Sequence, residues 1–157
     1  MAVLRPLRLE DLDALLPLQE EGAVEALGHI FPQETHPFPH DAVRSRWVHE
    51  LADPAIRSYA AEEDGVLVGF AATRGDELFH LGTARSTWGS GLAGVVHDEL
   101  VATLRAQGHA RAWLRVFEEN RRAIAFYERR GWRRTDEVSW SLFAPHPVLR
   151  RFELDLA

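Results

Sequence analysis

The sequence predicts an α/β fold, a mixed central β-sheet with flanking helices, and three observations carry the prediction. β-rich runs and runs of helical period follow one another in the order β, α, α, β, β, β, α, β, α, β, β. Asp64-Gly65 separates two β-rich runs, the composition of a tight hairpin turn. A strand-like run, Glu77 to Thr83, reaches another, Ala110 to Phe117, only through a helix-length segment, as a parallel crossover requires.

Taken in order, Val3 to Leu9 alternates as a strand, and Glu10-Asp11 opens an amphipathic helix carrying Leu12, Leu15, Leu16 and Leu18, with a kink or break expected at Pro17. GHIFPQETHPFPH, Gly28 to His40, is a proline-rich loop leading to a second helix, Asp41 to Leu51, in which Val43, Trp47 and Leu51 form a core stripe. Arg57 to Glu63 and Val66 to Thr73 make the hairpin, and Arg74-Gly75-Asp76 turns into the strand Glu77 to Thr83. Leu92 to Gln107 is a helix ended by Gly108, and Ala110 to Phe117 is a buried strand. Asn120 to Arg130 is a helix ended by Gly131, and two last strands flank Pro145-His146-Pro147.

Without internal repeats, the 157 residues read as one domain, 1–157, able to bury roughly two thirds of its unfolded surface. The absence of cysteine removes disulfides, thiolate metal ligands and a thiol nucleophile. All 18 basic residues are arginine, so no lysine forms a Schiff base, and phosphate recognition falls to backbone N–H groups or guanidinium forks. A net charge of −6 argues against a nucleic-acid partner. No apolar run approaches the ~20 residues of a membrane span, and MAVLRPLRLEDLD carries charges where a signal peptide is apolar. A cytoplasmic location with no membrane partner is expected.

TARSTWGSGLAG lies between a strand end and a helix start, where backbone N–H groups are free and the helix dipole is positive. Gly89 and Gly91 let the chain approach a pyrophosphate, and Ala93 and Gly94 keep the first turn slim. The segment is neither a Walker loop nor GxGxxG. Further on, Asn120, the only asparagine, is a good N-cap, and Tyr127, seven residues later, returns to nearly the same helix face.

WGSGLAG after a strand, followed by a helix, a strand and EENRRAIAFYERRGW, resembles the acetyl-CoA-binding core of the GNAT acetyltransferase superfamily. The resemblance covers residues 57–134 by motif and the first fifty residues by element order alone. It implies a single-domain GNAT-like fold whose mixed sheet contains a splayed pair of parallel strands. It also implies an N-acetyltransferase that moves an acetyl group from acetyl-CoA, as co-substrate, to a small-molecule or peptide primary amine by direct attack, without an acyl-enzyme or a metal. A non-catalytic acyl-CoA-binding module would keep the same cradle.

Residue by residue, the resemblance gives the pyrophosphate to the backbone of Trp88, Gly89, Ser90, Gly91, Leu92, Ala93 and Gly94. Trp88 stands where the family segment begins with Gln or Arg. It gives the pantetheine arm to Leu81, Gly82 and Thr83, places Asn120 near that arm or the phosphates, and gives protonation of the departing thiolate to Tyr127. An amine nucleophile must lose a proton, and two candidates stand on the preceding strand. Glu77, eleven positions before Trp88, matches a family glutamate, and His80 has a titration range suited to proton transfer. Acceptor contacts are expected from Glu34, His36 and Phe38 in the long loop. His29, His36, His40 and Glu34 lack the spacing of a helical metal pair, so no metal is expected. Arginines 121, 122, 129, 130, 133 and 134 read as a solvated face, some of which could meet the cofactor's 3′-phosphate or an acidic substrate. Val138 to Phe143 is a strand able to pair across a homodimer.

Overall fold

A computed structural model describes residues 3–157, with the side chains from Leu4 onward. Seven strands form one sheet in the order β1-β2-β3-β4-β5-β7-β6. They are β1 (Val3–Pro6), β2 (Ile56–Glu63), β3 (Val66–Arg74), β4 (Glu77–Thr83), β5 (Arg111–Phe117), β6 (Arg133–Trp140) and β7 (Val148–Asp155). The helices are α1 (Leu12–Leu27), α2 (His40–Ala52), α3 (Leu92–Ala106) and α4 (Arg121–Arg129). Every adjacent strand pair is antiparallel except β4 with β5, which are joined through α3. Among the described residues no helix is long and apolar enough to cross a membrane.

The β2–β3 turn has positive φ at both Asp64 (52°) and Gly65 (78°), the geometry that Asp-Gly composition favours. α3 closes with Gly108 and α4 with Gly131, both at positive φ, the left-handed cap geometry glycine adopts without steric cost. The sheet carries a core on each face. On one, α3 and α4 pack through Leu100, Leu104 and Tyr127 onto Leu78, Leu114 and Phe152. On the other, α1 and α2 bring Leu12, Leu15, Leu16 and Trp47 against Ala60 and Phe70. Burying apolar area on both faces at roughly 25 cal/mol per Å2 is what holds the layers together.

One expectation is corrected. Pro17 does not divide its helix; α1 runs unbroken from Leu12 to Leu27. Leu12, Leu15 and Leu16 beside it are fully buried, and that packing outweighs one missing backbone bond. The strand Glu77 to Thr83 does not alternate along its whole length. Ala72 pairs with His80 while Thr73 pairs with Leu78, so Phe79 is an extra residue, a β-bulge. The slip puts His80 on the α1/α2 face with Glu77 and turns Leu81 to the opposite face with Leu78.

The parallel pair touches at one register point, Glu77 with Trp113, and then diverges. Polar contacts pinch the strands at that end. Trp113 donates its backbone N–H to the Asp76 carbonyl (3.3 Å) and its indole N–H to the Asp76 carboxylate (2.9 Å). Glu77, 2% exposed, accepts from Arg74 at 2.9 and 3.1 Å and from Arg115 at 3.5 Å. Everything beyond this clamp opens into a cleft.

Candidate active site

The opened strands, α1 and the N-terminal turns of α3 and α4 enclose a cleft of about 660 Å3. Leu81, Gly82, Thr83, Trp88, Gly89, Gly91, Leu92, Ala93, Gly94, Asn120 and Tyr127 all line it, as does His80. The structure thus gathers residues from β4, the turn into α3, and α4 around one space.

At its mouth, Gly89 and Gly91 have φ of 86° and 89°, and a Cβ on either would meet nothing within 4 Å, so the turn is open on its cleft side. The Ser90 N–H bonds the Thr87 carbonyl, Leu92 N–H the Ser90 hydroxyl (3.3 Å), and Val95 N–H the Gly91 carbonyl. The N–H groups of Gly89, Gly91, Ala93 and Gly94 have no protein acceptor among the described residues. Unpaired donors at the positive end of a fifteen-residue helix form an anion cradle.

Trp88 turns away from that cradle. Its indole N–H donates to the Thr83 carbonyl at 3.2 Å, its ring lies against Gly22 of α1, and the Arg122 guanidinium stacks on it 3.7 Å from the centroid. Arg130 lies 3.8 Å over the Phe126 ring, with a guanidinium nitrogen 2.5 Å from where a Gly94 Cβ would stand. Both arginines line the cleft. The arginine face is largely exposed, at Arg121, Arg122, Arg129, Arg133 and Arg134, but Arg122 and the half-buried Arg130 also stack on aromatic rings beside the cradle. Arg133 and Arg134 instead pair with Asp155 and Glu118. The Phe126–Arg130 spacing of four was the signal in the sequence.

Along β4, Ala84 N–H bonds the Val68 carbonyl. Continuing that alternation with Gly82 opposite Phe70 makes positions 82 and 84 the bonded pairs, so the backbone groups of Leu81 and Thr83 point away from β3, toward the diverging strand. A Cβ at Gly82 would come within 2.3 Å of the far end of the Phe70 ring, which would have to shift to admit it.

Asn120 caps α4, its side-chain oxygen accepting the Ala123 N–H at 3.2 Å. Two turns on, Tyr127 is 9% exposed, and its hydroxyl has no protein hydrogen-bond partner among the described residues. Burial pushes the phenol well above its ordinary value, and Arg130 opposes this only in part. Behind it, Trp132 donates its indole N–H to Nε2 of His97 at 2.9 Å, and the other nitrogen of His97 meets Asp98 at 2.9 Å. That pairing fixes His97 as neutral, and burial lowers its pKa accordingly. No sequence signal linked His97 with Trp132.

Of the two proton-accepting candidates, His80 faces the cleft and Glu77 does not. Glu34, His36 and Phe38 are not cleft residues either: His36 bonds Thr35, and Phe38 packs in the α1/α2 core. Among the described residues no group of three or more His, Cys, Asp and Glu side chains is arranged to hold a metal.

Comparison with known proteins bears on the family and the fold. The acetyltransferase (GNAT) family model matches residues 23–132. Uncharacterized N-acetyltransferases Rv2669 of Mycobacterium tuberculosis and Mb2688 of Mycobacterium bovis are 33% identical over 107 residues, 65% of this chain and 69% of each relative. Among solved structures, a GCN5-related N-acetyltransferase from Rhodopseudomonas palustris superposes with a TM-score of 0.81 at 18% identity, over 99% of this chain and 96% of that one. The PaiA N-acetyltransferase of Thermoplasma acidophilum in complex with coenzyme A does so at 0.73 and 17%, over 99% of both chains. Spermidine N-acetyltransferase from Vibrio cholerae in complex with CoA and spermine gives 0.73 at 17%, over 99% and 95%.

Proposed function

The chain belongs to the acetyltransferase (GNAT) family and is an acyltransferase, and from that premise we propose that it moves an acetyl group from acetyl-CoA to a primary amine by direct attack, without an acyl-enzyme. The observation that carries the proposal is the set of N–H groups at Gly89, Gly91, Ala93 and Gly94, without a protein acceptor among the described residues, opening into the same cleft as Tyr127. The residues present fit the co-substrate: the cradle is open, and Arg122 and Arg130 add charge beside it for phosphate oxygens. The backbone of Leu81 and Thr83 would hold an extended amide-bearing arm as an added strand does. Bound there, the thioester supplies an activated acyl carbon.

Tyr127 provides the proton for the thiolate. Its raised pKa keeps the phenol protonated, and the same low-polarity surroundings that weaken the phenol as an acid also make an expelled thiolate more basic. His80, on the cleft wall, receives the proton of the incoming ammonium; Glu77, held between Arg74 and Arg115, keeps the cleft's closed end together. The acceptor class rests on the family and on neighbours such as the spermidine enzyme.

The edge strand β6, with Trp140 62% exposed and Leu142 beyond it 93% exposed, supports a homodimer formed along that edge. The function is tested by incubating the protein with acetyl-CoA and a panel of primary amines while following free thiol. Amine-dependent thiol release is expected. Calorimetric binding of coenzyme A with no release from any amine would favour a binding module that only retains the cradle.

A further inference from the structure

The slip at Phe79 has a chemical result on the α2 side of the cleft. His80 Nε2 lies 2.7 and 3.0 Å from the two carboxylate oxygens of Glu50, a residue of the last turn of α2 that is only 6% exposed. A carboxylate has no proton to give, so the shared hydrogen sits on Nε2 and the lone pair of the neutral ring is at Nδ1. No protein group bonds Nδ1 among the described residues. The ring is wedged between Trp47, with centroids 5.0 Å apart, and Phe79, stacked at 4.1 Å. Arg46 on α2, its Nε buried without a hydrogen bond, stands 3.7 Å from the same Glu50 oxygen.

From this arrangement we infer that Glu50 is a positioning residue: by accepting the Nε2 hydrogen of His80 it fixes the ring's tautomer and presents Nδ1 to the cleft as the base that takes a proton from the acceptor ammonium. The inference rests on the acetyl-transfer reading above. Nδ1 takes one proton from R–NH3+ to leave R–NH2. The amine nitrogen forms a C–N bond to the acyl carbon as the C–S bond breaks. Tyr127 gives its proton to the departing sulfur, and the second proton shed by the nitrogen restores the phenol by way of water in the cleft. His80 then returns its proton to solvent, so that one proton is released per turnover.

The charged groups facing His80 are Glu50 and Arg46 from α2 and Glu77 from its own strand. Burial dominates and holds the imidazole below its ordinary range, with Glu50 opposing and Arg46 reinforcing. The ring is therefore neutral near pH 7, and the carboxylate is in place to stabilise the imidazolium formed during transfer.

The test begins with nitrogen-detected NMR of the unliganded wild-type protein between pH 5 and 8. The expected result is a neutral His80 with hydrogen on Nε2 at pH 7.5. Hydrogen on Nδ1, or an imidazolium at that pH, overturns the inference whether or not any amine is acetylated. Next, Glu50→Gln should lower the pKa of His80 and carry the acid limb of kcat/KM to lower pH in parallel. The plateau should fall on the order of tenfold, less than the ~10²–10⁴ lost when a base is removed. Calorimetric affinity for coenzyme A should be unchanged. Unaltered titration and profile in Glu50→Gln would also overturn it. Should that variant not fold, Glu50→Asp serves the same comparison, with the wild-type tautomer standing as evidence independent of both. An absence of acetyl transfer to every amine by wild-type protein, with the Nε2 tautomer intact, would count against the acetyl-transfer reading and leave the Glu50–His80 geometry verified.

Discussion

Tyr127 keeps its proton because it is buried, and it lines the cleft with a hydroxyl that bonds no protein group among the described residues. Replacing it with phenylalanine retains the ring that packs against His97, Phe126 and Trp132 and removes only the hydroxyl. Tyr127→Phe should therefore lower kcat by about tenfold or more, with coenzyme A affinity changed little; equal kcat would remove the tyrosine from proton transfer. His97 yields a stability prediction of a different kind. Its folded pKa is held below the ordinary ~6.5, so the unfolded chain binds more protons, and stability is complete above that value and lost as pH falls toward the folded one. His80 is depressed in the same direction. Urea unfolding should show lower stability at pH 5.5 than at 7.5, by at most ~1.4 kcal/mol per group per pH unit, and His97→Gln should reduce the slope. Asn120 and Tyr127 were legible from their spacing on one helix. Glu50 was not, because thirty residues separate it from His80 and only the packing of α2 onto the bulged strand brings them together.

β4 is where the elements meet: it is clamped to β5 at Glu77, bulged at Phe79 and stripped to glycine at Gly82. Phe70 fills the room a Gly82 side chain would need, and it packs edge-on to Trp47 at 5.5 Å, which in turn touches His80. Gly82→Ala should consequently lower unfolding stability by ~1–3 kcal/mol, the usual cost of overpacking, measured by urea titration. It should also disturb the His80 ring. An unperturbed variant would mean that Phe70 has room to move. The strand's limits were readable from the turn Arg74-Gly75-Asp76 and the glycine segment after it. Its bulge was not, since an extra residue in one strand is defined only by the register of its partner. The same holds for α1, where propensity at Pro17 argued for a break and tertiary burial of the neighbouring leucines decided otherwise.

At the scale of the molecule, the sheet ends on β6, whose unpaired edge carries Val138 and Trp140. If that edge joins two copies, Trp140→Lys should shift the sedimentation coefficient toward that of a monomer without altering urea stability of the protomer; a wild-type protein that already sediments as a monomer rules the interface out. Element order, the hairpin, the crossover, the glycine turn and the Asn120–Tyr127 helix follow from the sequence, because periodicity, capping and turn chemistry act between residues close along the chain. The divergence of β4 from β5, the insertion of β7 between β5 and β6, the arginines stacked beside the cradle and the partner of His80 depend on tertiary structure alone. Those features arise from contacts between segments tens of residues apart, and such contacts are chosen by packing and register, which no local pattern encodes.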